Sequence, residues 1–288
     1  MPDKFSATWV SHSSMADFLR CPRLYFLKNV YRDPNTGHKI TITSPALALG
    51  QAVHDVLEGL SLLKTEDRFR VSLVDRLNTS WIKVAGKLGG FTHPDQEAAA
   101  RQRGEEMVRR VMKNPGPLKK LAVKIKMDLP HYWLSQEDSI ILCGKIDWLE
   151  YHPDRDSVSI LDFKTGRGEE RDDSLQLPIY HLLVANCQKR NVEHAYYWYL
   201  ERSDEPVEKM LAPLEESRQR VLELAKKVKL ARQLERFRCP TDGCRFCTPF
   251  EQVVRGEGEL VGVNEYNVDM YLLATGETGG ELDESVVL

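Results

Sequence analysis

Nowhere in its 288 residues does the chain carry an uncharged apolar run near the ~18 residues that a membrane-crossing helix needs. Its opening stretch, MPDKFSATWVSHSS, lacks the apolar segment and small-residue cleavage site of a secretory signal, so the cytoplasm is the expected location. Cysteine is sparse. Six cysteines in a reducing compartment read as thiols or metal ligands, not as a disulfide framework. Internal repeats and low-complexity blocks are absent. Lysine and arginine are missing from Gly256 to Leu288, where eight acidic side chains stand. Of the 43 acidic residues, 35 therefore remain against 40 basic ones in the body, a formal +5. That sign suits a polyanionic partner, and it suits an ordinary solvated surface equally well.

What is present suffices for a sizeable core: 42% of residues are hydrophobic and 29% charged, with a mean hydropathy of −0.42. The chain is long for one domain and short for two. Ser11–Val30 reads as a helix with Ser11, Ser13 and Ser14 as N-cap candidates and a kink or break at Pro22. Pro45 opens a second helix that runs to Lys64, and Glu66–Lys87 and Pro94–Lys113 continue as charged amphipathic helices. Beyond Asn114 the period shortens to two. Leu121–Leu129, Ser139–Tyr151 and Ser157–Lys164 read as a three-stranded meander. A helix over Leu175–Lys189, an aromatic strand over Val192–Leu200, an edge strand over Pro206–Leu211 and a charged helix over Leu214–Arg236 follow. The fold class is α/β: a mixed sheet flanked by helices, with a helical region in front and a cysteine segment behind. The partition is a unit spanning 1–255 (helical part 11–113, sheet core 118–212, helix and cysteine segment 213–250) and an acidic tail at 256–288. Val263, Tyr266, Met270 and Leu272 equip that tail to dock as well as to stay mobile.

Chemistry concentrates in Gly144-Lys145-Ile146-Asp147 and Ile160-Leu161-Asp162-Phe163-Lys164. Strand alternation puts Asp162 and Lys164 on one side and Phe163 on the other. Hairpin pairing can bring Asp147 beside Asp162, giving two carboxylates and an ammonium at strand ends. Hard oxygen ligands of this kind suit magnesium or manganese, and the lysine is placed to hold or deprotonate a water. A solvated Asp–Lys pair on an edge strand has the same three-letter pattern. Two helical pairs add weight: His54 and Glu58 share a helix face, as do Gln176 and Tyr180.

Five motifs stand in order between about Ser11 and Phe250. They are Ser13–Cys21-Pro22 with Tyr25, Gly50-x-x-x-His54, Gly144-x-x-Asp147, Asp162-x-Lys164-Thr165-Gly166 and Gln176-x-x-x-Tyr180. The series resembles the RecB-type branch of the PD-(D/E)XK nucleases, with AddB subunits and CRISPR-associated Cas-four exonucleases among its relatives. The resemblance implies a restriction-endonuclease-like core. It implies His54, Asp147 and Asp162 as ligands of Mg2+ or Mn2+, joined by the Phe163 main-chain carbonyl. It makes Lys164 the catalytic lysine, with Asp162, Asp147, Gln176 and Tyr180 completing the catalytic set. The implied reaction is metal-dependent DNA phosphodiester hydrolysis leaving a 5′-phosphate, by an exonuclease preferring single strands, in repair, recombination or CRISPR adaptation. A helicase or an integrase-type protein is the implied partner. The alternative is a catalytically idle DNA-binding or scaffolding subunit of such a complex.

Cys239, Cys244 and Cys247 lie within nine residues beside Gly and Pro, a spacing that points to a soft metal or cluster. Cys21 is the best fourth ligand, because Cys143 and Cys187 sit in apolar segments and read as core residues. Spacing does not separate zinc from a [4Fe–4S] cluster. The iron–sulfur nucleases of this branch imply the cluster; they end in C-x2-C-x5-C, however, and here Val253 stands in the last place. Arg20, Arg23, Arg167 and Arg171 are candidates for neutralising phosphates. Trp133, Trp148, Tyr196, Tyr197 and Trp198 offer rings for base stacking, or simply fill the core.

Overall fold

The stretch Ser157–Lys164 organises the fold because it is apolar on both pleat faces: Val158 and Ile160 point one way, Leu161 and Phe163 the other. Burying both sides demands a layer on each. The computed structural model of the chain, which describes residues 3–274, supplies them. Its strands are β1 (Thr8–Val10), β2 (Lys39–Ile42), β3 (His131–Ser135), β4 (Ile140–Cys143), β5 (Trp148–His152), β6 (Ser157–Lys164), β7 (Asn191–Tyr199), β8 (Val207–Lys209), β9 (Gly258–Val263) and β10 (Val268–Leu273). Its α-helices are α1 (His12–Arg20), α2 (Pro22–Tyr25), α3 (Pro45–Gly59), α4 (Leu73–Trp81), α5 (Pro94–Lys113), α6 (Gln176–Cys187), α7 (Leu214–Gln233) and α8 (Thr248–Val254). None of the described helices is long and apolar enough to cross a membrane.

The main sheet runs β5-β6-β7-β8. β5 and β6 are an antiparallel hairpin, β6 and β7 run parallel through the α6 crossover, and β8 lies antiparallel on β7. On one face Val158, Ile160 and Ala195 pack against Ile179 and Leu183 of α6 and Val221 of α7. On the other, Trp148, Leu161, Phe163 and Trp198 meet Val53 and Leu57 of α3, Leu77 of α4 and Met107 of α5. Each Val, Leu, Ile, Phe or Met among them contributes about 1.5–3 kcal/mol on burial. A second sheet, β1-β4-β3, and a third, β2-β10-β9, complete the architecture.

Local chemistry sets the helix starts. Ser11 caps α1 reciprocally with Ser14, through backbone donors at 3.2 and 2.9 Å. Cys21 is extended (φ −167°), so the helix breaks there and Pro22 begins α2. Ser44 caps α3, accepting the Leu47 N–H at 3.3 Å, with Pro45 in its first turn.

The structure departs from the sequence reading in five places. α3 ends at Gly59 in a 3₁₀ turn, and within Glu66–Lys87 the regular helix is only Leu73–Trp81, capped by Ser72. Leu121–Leu129 is not a strand. It makes two backbone bonds beside β5, Val123 N–H to Leu149 at 2.9 Å and Tyr151 N–H to Leu121 at 2.8 Å. Its alternating Val123, Ile125 and Met127 pack on the core without a ladder. Ser139–Tyr151 is two strands in two different sheets, so no three-stranded meander forms. Gly144 sits at the break, where a Cβ would lie 2.9 Å from Leu183 Cδ1. Finally, β9 and β10, from the segment read as a tail, pair with each other, and β10 runs parallel to β2. Residues 275–288 of that segment lie outside the described residues.

A buried carboxylate holds the C-terminal hairpin in place. Asp269 on β10 is fully buried, accepts the Thr36 hydroxyl at 2.6 Å and lies 2.8 Å from His38 Nδ1. Asp269→Ala leaves two polar groups unpaired, and a loss of about 2–4 kcal/mol is expected. In urea unfolding this should appear as a lower midpoint with an unchanged slope; a wild-type midpoint would show the hairpin to be dispensable.

Candidate active site

Four segments converge on one cleft. One turn of α3 separates His54 from Glu58, so both side chains project from one face. Asp147 immediately precedes β5, Asp162 and Lys164 end β6, and Gln176 and Tyr180 stand one turn apart at the start of α6. His54 Nδ1 lies 3.4 Å from Glu58 Oε1 and 3.5 Å from Asp147 Oδ2. Donor atoms of His54, Glu58 and Asp147 all fall within 4.8 Å of one another. The Phe163 N–H donates to Asp147 Oδ2 at 2.8 Å, which ties β5 to the end of β6.

Asp162 is buried beside this group. Its Oδ1 accepts from Gln176 Nε2 at 2.8 Å. Its Oδ2 faces the Lys164 ammonium at 3.0 Å, at an angle that makes an ion pair but no directed hydrogen bond. Gln176 Nε2 also donates to the Tyr180 hydroxyl at 3.2 Å, and Lys164 donates to Gln176 Oε1. Lys164 further lies 3.2 Å from Glu170 and 4.8 Å over the Tyr197 ring. The cleft holds about 720 Å3.

Residues 9–251 match the family description "PD-(D/E)XK nuclease superfamily". The chain belongs to that superfamily. No curated protein matches it. Membership makes this a metal-dependent nuclease fold, with nucleic acid as its substrate class. Asp162-Phe163-Lys164 spells the (D/E)-X-K of the PD-(D/E)XK name, while Ile146 precedes Asp147 where the name has proline.

Of the residues expected in the site, His54, Asp147, Asp162, Lys164, Gln176 and Tyr180 all meet at the cleft, and Glu58 stands with His54 and Asp147. Phe163 contributes its backbone N–H while its ring is buried against Trp198. Arg20, Arg23, Arg167 and Arg171, expected to meet phosphates, are not among the residues that line the cleft. Arg23 pairs with Glu251 and stacks over Phe26 at 5.0 Å, and Arg20 lies 5.9 Å over the Phe246 ring, so both border the cysteines. Arg171 pairs with Asp173 at 2.9 Å, and Arg167 lies 3.6 Å from Glu201. Lys83, Arg103 and Lys145 line the cleft instead. Lys145 was legible beside Asp147; Lys83 and Arg103, on remote helical segments, were not. Glu170 and His12, which both act on Lys164, also escaped sequence reasoning, since neither has a periodic relation to it. Trp148, Tyr197 and Trp198 are core residues.

Charge is what the site must reconcile. Burial works against the His54 cation, yet the carboxylates of Asp147, Glu58 and Asp162 outweigh it and raise the imidazole to about 9. Burial pushes the Asp147 carboxyl upward, and Asp162 and Glu58 add repulsion that His54 only partly offsets. Desolvation opposes the Lys164 ammonium, but Asp162 and Glu170 reverse the balance and hold it protonated. His12, buried beside Lys164, is pushed down to about 4 and stays neutral. An imidazole with two nearby carboxylates, plus a buried Asp162 oxygen lacking a directed donor, is a donor set that fits a hard divalent ion.

A second group lies far along the chain from the first. The sulfurs of Cys21, Cys239, Cys244 and Cys247 all lie within 4.8 Å of one another. Cys21 and Cys247 are buried with Leu24 and Leu27, and Phe26 and Phe250 close over them. The Cys244 N–H donates to Cys247 Sγ at 3.4 Å, and hydrogen bonds from Thr241 lower the Cys239 thiol to about 6. Four free thiols so placed fit a thiolate-bound metal centre.

The raised His54 gives a pH signature. A ligating imidazole is neutral, whereas here it carries a proton through neutral pH, so filling the group with Mn2+ has to expel about one proton. Titration calorimetry in buffers of different ionisation enthalpy should detect that release near pH 7.5, with affinity falling as pH drops. Proton-neutral binding would remove His54 from the ligand set.

Proposed function

We propose that this chain is a divalent-metal-dependent deoxyribonuclease of the RecB type, acting in the cytoplasm and degrading single-stranded DNA from an end. The observation that carries the reading is one cleft that joins His54, Glu58 and Asp147 to the Asp162–Lys164–Gln176 triad. His54, Asp147 and Asp162 would hold Mg2+ or Mn2+, with the Phe163 carbonyl beside them and Glu58 as an additional ligand. A bound ion of this kind polarises the scissile phosphate and makes a nearby water more acidic.

The chain's own residues divide the remaining work. Lys164, held as a cation by Asp162 and Glu170, is suited to stabilise negative charge growing on the phosphate oxygens, in preference to acting as a base. Gln176 fixes both partners, since it donates to Asp162 and accepts from Lys164. Tyr180 braces Gln176 from one turn further along α6. Lys83, Arg103 and Lys145 line the cleft, paired with Asp55, Glu201 and Glu58, and are the cations there that a phosphate backbone would recruit.

The cysteine group has the role of a staple between the N-terminal helices and the segment after α7. The resemblance to iron–sulfur nucleases favours [4Fe–4S] on Cys21, Cys239, Cys244 and Cys247. The sulfur spacing supports a second reading, one structural zinc: tetrahedral Zn–S bonds put sulfurs about 3.8 Å apart, and a cubane spreads its thiolates more widely. Protein purified without air should contain either about four iron and four sulfide with a brown colour, or one zinc and no colour. In either case Cys21→Ser should lower metal content and melting temperature together. A metal-free, equally stable wild-type protein would end both readings.

Catalysis has its own test. Asp162→Ala and Lys164→Ala should each cut Mg2+- or Mn2+-dependent cleavage of end-labelled single-stranded DNA by roughly 10³-fold or more, with binding retained in part. Gln176→Ala, which removes a positioning contact, should lose less, roughly 10–100-fold. Wild-type protein that binds DNA and cleaves none would favour the idle scaffolding subunit.

A further inference from the structure

Part of the cleft lining comes from the C-terminal hairpin. Val263, Asn264, Glu265, Tyr266 and Met270 line the same cavity as His54 and Asp162. Two anchors set their position. β10 pairs in parallel with β2, whose chain runs on directly into α3 and its His54 and Glu58. Lys87 pairs with Glu259 at 2.8 Å across the base of the hairpin.

The turn itself is rigidly built. The Asn264 side chain accepts the N–H groups of Tyr266 at 2.9 Å and Val268 at 3.1 Å, and Asn267 takes the left-handed conformation (φ 54°) that asparagine tolerates. That scaffold holds the Tyr266 side chain out at 74% exposure. Its hydroxyl is hydrogen-bonded to Glu265 and lies within the electrostatic reach of Lys145 and Glu58, while the ring face stays open. Of the strand aromatics, Trp148, Tyr197 and Trp198 are buried in the cores, and neither Trp133 nor Tyr196 lines this cleft.

Resting on the nuclease reading, we infer that Tyr266 is a stacking platform for an unpaired base of single-stranded DNA next to the scissile phosphate, and so a specificity-determining residue. A ring held open to solvent stacks on any base face, which gives sequence-tolerant binding. Lys145, exposed beside it and paired with Glu58 at 2.5 Å, is placed to meet the adjoining phosphate. A duplex end offers no splayed base, so the contact selects single strands.

The test compares wild type, Tyr266→Ala, Tyr266→Phe and Tyr266→Trp, with melting temperatures to check the fold. Tyr266→Ala should raise KM for single-stranded DNA roughly five- to hundredfold, with a smaller change in kcat and in duplex cleavage. A 2-aminopurine oligonucleotide bound to wild type should be quenched by stacking; Ala should abolish the quench, and Phe and Trp should keep it. Unchanged KM and quenching in Tyr266→Ala, while wild type cleaves normally, would overturn the inference alone. Wild type that neither binds nor cleaves single-stranded DNA would overturn the nuclease reading and this inference together.

Discussion

A carboxylate cannot sit at the end of a doubly buried strand without compensation, and most of this structure arranges compensation for Asp162. Its partners come from separate parts of the chain: Lys164 from its own strand, Gln176 from the crossover helix, and Glu170 and Tyr197 around Lys164. Removing water from these groups strengthens every charge–charge contact among them and makes any unpaired one costly. The arrangement works only if β6, β7 and α6 keep their register. The geometry of the Asp162–Lys164–Gln176 group and the stability of the fold are therefore the same constraint at this point.

The same logic extends outward to α3. His54 and Glu58 reach Asp147 because α3 lies on the sheet face carrying Phe163 and Trp198, and the Phe163 N–H holds Asp147 from behind. The group gathers more negative than positive charge, and a proton on His54 balances it. A divalent cation can take the place of that proton. The polar site thus holds together before any ion binds, and it keeps a chemical preference for one.

Two peripheral devices bring distant parts of the chain to this core. The cysteine group joins the break at Cys21 to residues more than two hundred positions later, and the β2–β10 pairing lays the C-terminal hairpin along the lead-in to α3. Both close long loops, and the entropy lost on closing them grows only slowly with loop length. They also place chemistry: Arg20 and Arg23 border the cysteines instead of the cleft, and the hairpin turn borders the cleft instead of trailing free.

Much of this was legible in the sequence. Helix spacing paired His54 with Glu58 and Gln176 with Tyr180, strand alternation put Asp162 and Lys164 on one side, and proline and serine marked where α1, α2 and α3 begin. These are local relations, settled by a backbone period and by capping chemistry within a few residues. What only the tertiary structure decided is of another kind: that Leu121–Leu129 pairs with β5 at a single bridge, that Ser139–Tyr151 divides between two sheets, that Glu58 and His54 meet Asp147, and that the hairpin β9–β10 brings Val263 to Tyr266 and Met270 to the cleft. Each of these depends on which remote surface arrives to meet a segment. An alternating or amphipathic pattern states that a face will be buried; it carries no information about the partner that buries it.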